Sequence, residues 1–283
     1  MNRIDLHVHS SESDGTMSPE ELVTHAADCG LTAFALTDHD TTSGLEDAIS
    51  FGKKLGIEVL PGIEFSTDYH KQDIHIVGIE FDWKNPAFQE KIQHYRNERF
   101  RRNQRIIDRM SADGIDISYE KMSRAFPGAT WTRAHFARYL TDHGYVNDMW
   151  NAFETLLRPG CPYHIPREKI SPSDAVKLIR QFDGIPILAH PMQYDFSETT
   201  FRTLLDDLCS VGLIGMEVYY STHTPDQTHY LQKFAEEYHL MPSGGSDFHG
   251  VNKPTIFLGT GKNNLEIPYE ILENLRRHRA ELS

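Results

Sequence analysis

The chain has 283 residues, a formal net charge of −13, 39% hydrophobic residues and 3 cysteines. That length supports a large buried core, whereas the acidic balance excludes a broad electrostatic grip on a long polyanion and leaves only local capture of a small anion open. Cys29, Cys161 and Cys209 are odd in number and widely spaced, which fits reduced thiols better than a disulfide framework, and there is neither a charged-then-apolar leader nor a stretch of about 18 apolar residues, so the expectation is a cytoplasmic protein with no membrane attachment and no protein partner implied.

The first predicted element is a strand, Arg3-Ile4-Asp5-Leu6, leading into His7-Val8-His9-Ser10. His7 and His9 share one face of a strand, and Asp5 points the same way. Ser18-Pro19-Glu20-Glu21 then supplies an N-cap, a first-turn proline and acids for the helix dipole, and Gly30 closes that helix. A strand through Ala33–Thr37 leads into Asp38-His39-Asp40, and Thr42 or Ser43 opens a second helix that ends near Leu55-Gly56. Val59–Ile63 reaches Glu64, and Asp73-Ile74 reaches His75. Short β-α-β units of this kind predict parallel strands joined by right-handed crossovers, with polar ligands delivered at strand ends.

The alternation breaks near Phe81-Asp82-Trp83. Helices are predicted over Pro86–Asp113, Trp131–Thr141 and Asp148–Leu157, after which Pro159, Pro162 and Pro166 mark an extended return. The chain therefore divides into the first part of a barrel (1–82), a helical insertion or substrate cap (83–168) and the second part of the barrel (169–283). In the last part a helix from Ser171-Pro172 precedes a strand to His190, a helix near Glu198–Val211, a strand at Gly215–Tyr220, a helix at Pro225–His239 and a strand to Asp247-Phe248-His249.

Six histidines and three acids thus sit beside predicted strands: His7, His9, Asp14, His39, Glu64, His75, His190, Asp247 and His249. One His-x-His pair alone reads as half-buried histidines; nine such residues converging on a barrel read as a polynuclear metal site and the catalytic centre. The mixture of imidazole nitrogen and carboxylate oxygen suits Mn²⁺, Fe²⁺ or Zn²⁺ better than an all-oxygen Mg²⁺ cage. In the insertion, Arg99, Arg102 and Ile106 form a helix stripe able to face the barrel, against the plainer reading of a solvated arginine face. Arg99, Arg102 and Asn103 are therefore candidate substrate contacts. Thr132 is positioned to cap a helix whose first turn carries Arg133 and His135, a place that favours phosphate. Ser221 and His223, after the strand at Gly215–Tyr220, complete the candidates, with His223 also considered as proton donor to the leaving group.

The motifs Asp5-Leu6-His7-Val8-His9-Ser10, Thr37-Asp38-His39-Asp40, Pro61-Gly62-Ile63-Glu64, Asp73-Ile74-His75, Ala189-His190-Pro191 and Gly245-Ser246-Asp247-Phe248-His249 resemble the polymerase and histidinol phosphatase, or PHP, superfamily of metallophosphoesterases. The resemblance implies an α/β fold, a distorted seven-stranded PHP barrel, holding three divalent metal ions, with Mn²⁺ first among the alternatives. It also implies that His7, His9, Glu64 and Asp247 hold one ion, that Glu64 bridges to a second held by His75 and His190, and that Asp14, His39 and His249 hold a third. Arg133-Ala134-His135-Phe136 and Glu217-Val218-Tyr219-Tyr220-Ser221-Thr222-His223-Thr224-Pro225 look like the branch that hydrolyses nucleoside 3',5'-bisphosphates, such as adenosine 3',5'-bisphosphate, to the 5'-monophosphate. On that resemblance the partner is a small nucleotide. The alternatives are 5'-to-3' exoribonuclease action on short 5'-phosphorylated RNA and a histidinol-phosphate-type phosphomonoesterase.

Overall fold

The computed structural model describes residues 2–282. Seven strands form one sheet in sequence order: β1 (Arg3–Val8), β2 (Leu31–Leu36), β3 (Glu58–Tyr69), β4 (Gln72–Ile79), β5 (Ile185–Leu188), β6 (Gly215–Tyr220) and β7 (Met241–Gly245). β7 returns to β1, where Asp247 N–H donates to the His7 carbonyl at 2.8 Å and His9 N–H donates to the Phe248 carbonyl at 3.0 Å. The sheet is thus an almost closed barrel. Helices α1 (Pro19–Asp28) and α2 (Leu45–Leu55) cover its first strands. Ser18 caps α1 in a reciprocal box with Glu21, which satisfies two of the amides that a helix start leaves free.

The expectation of parallel strands through the first eighty residues is corrected at β3. This strand does not stop at Glu64 but runs on to Tyr69 and pairs antiparallel with β4, which is also antiparallel to β5. The turn between them uses His70 and Lys71 at φ +53° and +68°. Hairpin turns of this handedness usually advertise themselves with Asn or Gly, so this one left little mark in the sequence. Glu64 and His75 consequently project from within strands rather than from strand ends. Along β3, Leu60 and Glu64 share a face, and along β4, His75, Val77 and Ile79 do. The apolar members of those faces join Ile187 and Ala189 in one buried cluster, a dry support beneath the polar residues.

Between β4 and β5 the chain forms α3 (Pro86–Ala112), α4 (Tyr119–Ala125), α5 (Arg133–Asp142) and the short α6 (Met149–Ala152), which passes into a π-helical turn at Phe153–Leu157. Then α7 (Pro172–Gln181), α8 (Glu198–Ser210), α9 (Pro225–Glu237) and α10 (Glu270–Glu281) complete ten α-helices among the described residues. The short α4 and the terminal α10 were not foreseen from the sequence. α3 belongs to two cores. Its Phe88 and Ile92 pack with Phe81 and Phe182 beside the barrel, whereas Ile106, Ile107 and Met110 pack with Trp131, Phe136 and Leu140 in the cap. Anchored at both ends, the helix holds the buried Arg99, Arg102 and Asn103 in a defined place between them. No described helix is long and apolar enough to cross a membrane.

Barrel closure depends on a glycine. A Cβ built on Gly245 would lie 2.3 Å from the His7 Cβ, and both are held by the backbone of adjoining strands. Gly245→Ala is therefore expected to destabilise the protein by about 3 kcal/mol or more, the upper end of overpacking costs. Urea unfolding measures this, and a loss below about 0.5 kcal/mol would show that β1 and β7 can separate without penalty.

Candidate active site

The carboxylate of Glu64 is the hub of the barrel mouth. Its Oε2 lies 3.2 Å from His7 Nε2, 3.1 Å from His9 Nε2 and 3.1 Å from His39 Nδ1. Its Oε1 lies 2.7 Å from His75 Nδ1 and 3.1 Å from His190 Nε2. Asp247 Oδ1 stands 3.7 Å from His7 Nε2 and 3.4 Å from His9 Nε2, and His249 Nε2 stands 3.3 Å from Asp14 Oδ1. All nine ligand candidates read from the sequence therefore meet in one place. Three overlapping groups, His9-Asp14-His39-His249, His7-His9-Glu64 and His39-Glu64-His75, each gather their ligand atoms within 4.8 Å of one another.

These separations fit divalent cations. Ligand atoms bound about 2.1 Å from one ion sit roughly 3.0–3.4 Å apart, and six of the eight separations above lie between 3.1 and 3.4 Å. The hydrogen-bond pattern agrees: His7 Nε2 and His9 Nε2 face each other at 3.1 Å, and Nδ1 of His39 and of His190 are buried without hydrogen-bond partners. Burial disfavours a charge on His7 and His9, yet the surrounding acids more than offset it. Glu217, Glu64 and Asp247 push His7 well above its ordinary value, and Asp247 and Glu64 raise His9 to about 9. The carboxylates thus demand positive charge at these atoms, a demand that divalent ions would meet. Burial, with His9 and His75 beside it, takes His39 down to about 3 despite Glu64 and Asp14 nearby, which favours a neutral ring able to ligate.

A further set of residues orients the ligands. Glu217 accepts the His7 Nδ1 proton at 2.7 Å and the His190 backbone N–H at 2.6 Å. Tyr194 hydroxyl accepts the His75 backbone N–H at 2.9 Å and donates to the Ala189 carbonyl at 2.6 Å. Tyr220 hydroxyl donates to Asp247 at 2.6 Å, and Lys253 pairs with the same carboxylate. Such groups set ring orientation and ligand basicity. His190 and Asp247 occupy the left-handed region at φ +28° and +58°, a backbone strain that sites of this kind commonly carry. Sequence reasoning missed Glu217 as a supporting acid; its signal was a carboxylate within the otherwise apolar strand Gly215–Tyr220.

Beside the ligands opens a cavity of about 540 Å³, reaching from Asp14, His39 and His75 to Arg99, Arg102 and Arg133 of the cap. Its cations are mostly neutralised. Buried Asp40, at φ +52°, pairs with Arg99 and, at 2.6 Å, with Arg167. Asp73 pairs with Arg133 and Lys169. Burial opposes ionisation of both acids, but the flanking cations hold each well below the usual carboxylate range. Arg102 differs: it is 6% exposed, and its Nε and one terminal nitrogen have no hydrogen-bond partner. Burial, together with Arg99, Arg167 and Arg133, pushes its guanidinium well below its ordinary value, which marks a cation lacking an anion. Arg167 and Lys169 were not singled out from the sequence, although their i, i+2 spacing after Pro166 places both on one side of an extended segment.

The other candidates occupy different positions. Asn103 donates to the Trp131 carbonyl at 3.0 Å and faces a second cleft. Thr132 caps α5, its hydroxyl donating to Asp14 at 2.9 Å, and its backbone N–H donates to His135 Nδ1 at 3.0 Å. His135 thus acts as the reciprocal member of a capping box and does not line the cavity. Ser221 hydroxyl donates to the Ser246 carbonyl at 2.6 Å. His223 Nδ1 is 3.1 Å from the Val218 carbonyl and must be the protonated nitrogen, which leaves buried Nε2 an acceptor and removes His223 as a proton donor while neutral.

His135 makes stability depend on pH. Burial lowers it from 6.5 to about 4, so below 6.5 the unfolded chain takes up a proton that the folded chain refuses. The neutral ring's contribution is complete above pH 6.5 and falls by roughly 3 kcal/mol as pH drops to about 4. His135→Gln keeps a capping-box acceptor but does not titrate. Its stability relative to the natural protein is expected to rise across that window; a constant difference from pH 7 to pH 4 would show that His135 protonates freely in the folded state.

The PHP domain family matches residues 5–243. A 5'-3' exoribonuclease of Haemophilus influenzae is 37% identical over 261 residues, 92% of this chain and 94% of the relative. A 3',5'-nucleoside bisphosphate phosphatase of Chromobacterium violaceum is 36% identical over 250 residues, 88% of each. Among solved structures, an amidohydrolase of Chromobacterium violaceum with sulfate bound and no metal aligns at a TM-score of 0.87 and 33% identity, covering 98% of this chain and 96% of that one. A protein assigned to the metal-dependent phosphoesterases, from Bifidobacterium adolescentis, aligns at 0.87 and 27% identity with the same coverage of both chains.

Proposed function

Because this chain belongs to the PHP domain family and is a metal-dependent phosphoesterase, we propose that it removes the 3'-phosphate of nucleoside 3',5'-bisphosphates, leaving the 5'-monophosphate and phosphate. The observation that carries this reading is Arg102, the buried guanidinium with unpartnered nitrogens beside the ligand cluster. A substrate with one phosphate needs no such position. A substrate with two can lodge the 5'-phosphate at Arg102, with Arg99 and Arg133 nearby, while its 3'-phosphate meets the histidines and acids.

His7, His9, Glu64 and Asp247 would hold one divalent ion, His75 and His190 a second shared through Glu64, and Asp14, His39 and His249 a third; Mn²⁺ suits this donor set, with Fe²⁺ and Zn²⁺ as alternatives. When bound, such ions neutralise phosphoryl oxygens and make water acidic enough to attack at neutral pH. The protein's own work is positioning. Glu217 fixes the tautomer of His7, so that Nε2 faces the substrate side, and Tyr194 holds the backbone at His75 and Ala189. Thr132 links the cap to Asp14, so the helices carrying the arginines are registered against the ligand cluster. Binding energy at the remote 5'-phosphate can then orient the scissile group.

A second reading, 5'-to-3' hydrolysis of short 5'-phosphorylated RNA, draws support from the Haemophilus influenzae relative. The test offers Mn²⁺-loaded protein adenosine 3',5'-bisphosphate, 3'-AMP, 5'-AMP, histidinol phosphate and a 5'-phosphorylated RNA oligomer. The expected result is a kcat/KM for the bisphosphate at least about a hundredfold above that for 3'-AMP, the scale of one buried charged contact. Equal values for the two would overturn the assignment, and faster turnover of the oligomer would favour the second reading.

A further inference from the structure

A second cleft of about 280 Å³ lies between α3, α4 and the segment Gly128–Trp131, and it shares Arg99 with the cavity beside the ligand cluster. One helical turn thus divides its side chains. Arg102 faces the first cavity, Asn103 and Phe100 face the second, and Arg99 borders both. The segment at Trp131 does the same, because Thr130 and Trp131 line the second cleft and Thr132 and Arg133 line the first.

The lining of the second cleft has a particular chemistry. Phe100 and Tyr119 are 53% and 41% exposed, unusual for large rings that form a cluster. Their centroids are 5.7 Å apart, and Tyr119 lies 5.2 Å from Trp131. Alongside these ring faces, Asn103 is 4% exposed and its Oδ1 has no partner, while Nε of Arg99 is likewise buried and unpaired. An aliphatic ligand would leave both polar atoms unsatisfied, at the usual cost of an unpaired buried group. A flat heterocycle would stack on the rings, donate from an amino or imino group to Asn103 Oδ1 and accept from Arg99.

We propose that this cleft is a nucleobase site, taking the base of a nucleotide whose phosphate is held in the adjoining cavity. The proposal rests on the phosphate assignment made above for Arg102. The base has two possible sources: the nucleotide that carries the held phosphate, or the nucleotide that follows it in a short RNA. Phe100 is the residue to probe, since its exposure makes replacement harmless to folding.

The experiment measures equilibrium affinities of the Mn²⁺-loaded protein for ribose 5-phosphate, AMP and a 5'-phosphorylated diadenylate with a phosphorothioate link. The same measurements are made on Phe100→Ala and Phe100→Trp. Stacking on one aromatic ring corresponds to about tenfold or more in affinity. The expected result is that Phe100→Ala leaves ribose 5-phosphate unchanged, weakens AMP, the diadenylate or both about tenfold, and that Phe100→Trp restores the loss. Weakening of AMP identifies the leading base; weakening of the diadenylate alone identifies the following one. No change for either nucleotide, or an equal change for ribose 5-phosphate, would overturn the site. None of these readings requires turnover, so a failure of bisphosphate hydrolysis is recorded separately by the kinetic assay.

Discussion

Glu64→Gln is expected to lower kcat on phosphoester substrates by at least about a thousandfold and to reduce the bound metal content of the purified protein. Five imidazoles approach this one carboxylate, three at Oε2 and two at Oε1. Burial alone would keep it protonated, yet His75, His7 and His39 hold it well below the usual range, so it is a fixed negative charge shared by two of the three ligand groups. Glutamine keeps the shape but replaces one oxygen by a donor aimed at imidazole nitrogens, and it removes the charge. A loss of about 4 kcal/mol of transition-state stabilisation corresponds to the stated factor. Metal analysis by mass spectrometry, beside circular dichroism to verify folding, makes the test specific. Full metal content with activity within tenfold of the natural enzyme would remove Glu64 from the centre of the site.

Arg102→Met is expected to reduce kcat/KM for the 3',5'-bisphosphate by a hundredfold to a thousandfold while leaving 3'-AMP within about threefold. A buried charged contact to an anion is worth about 3–4 kcal/mol when one partner is deleted, which gives that range. Folding should not suffer, because the replaced guanidinium has unpaired nitrogens and sits among Arg99, Arg167 and Arg133. The unfolding midpoint of Arg102→Met should equal or exceed that of the natural protein. Arg133→Ala should cost only about tenfold, since Arg133 is 28% exposed and already paired with Asp73, so solvent screens part of its charge. If the ratio between bisphosphate and 3'-AMP is the same in Arg102→Met as in the natural enzyme, the 5'-phosphate does not lie there.

Much of this was legible in the sequence because metal ligands are restricted in type and strands repeat in direction every two residues. Asp5, His7 and His9 could be placed on one face before any coordinates, and the apolar runs ahead of Glu64, His190 and Asp247 marked where ligands emerge. The long helix at Pro86–Asp113 was readable from its start at Asn85-Pro86, and the buried stripe of Arg99, Arg102 and Ile106 followed from helical spacing. The hairpin of β3 and β4 was not readable, since His70 and Lys71 carry its left-handed turn without the residues that usually signal one. Nor was the structural duty of His135, because a histidine in a helix first turn resembles an anion contact until its partner Thr132 is seen.

The sequence by itself determined a polynuclear metal centre, through nine ligand residues of restricted type beside predicted strands, and the resemblance of its motifs to the PHP superfamily supplied the reaction class. Only the tertiary structure decided which arginine is available to a substrate. Arg99 and Arg167 reach Asp40 from 59 and 127 residues away, and Lys169 reaches Asp73 from 96. Those pairings join segments with no local relation in the chain, so no spacing rule could assign them. They leave Arg102 without a paired acid, and because an unpaired buried cation is costly, this is where the 5'-phosphate is proposed to lie.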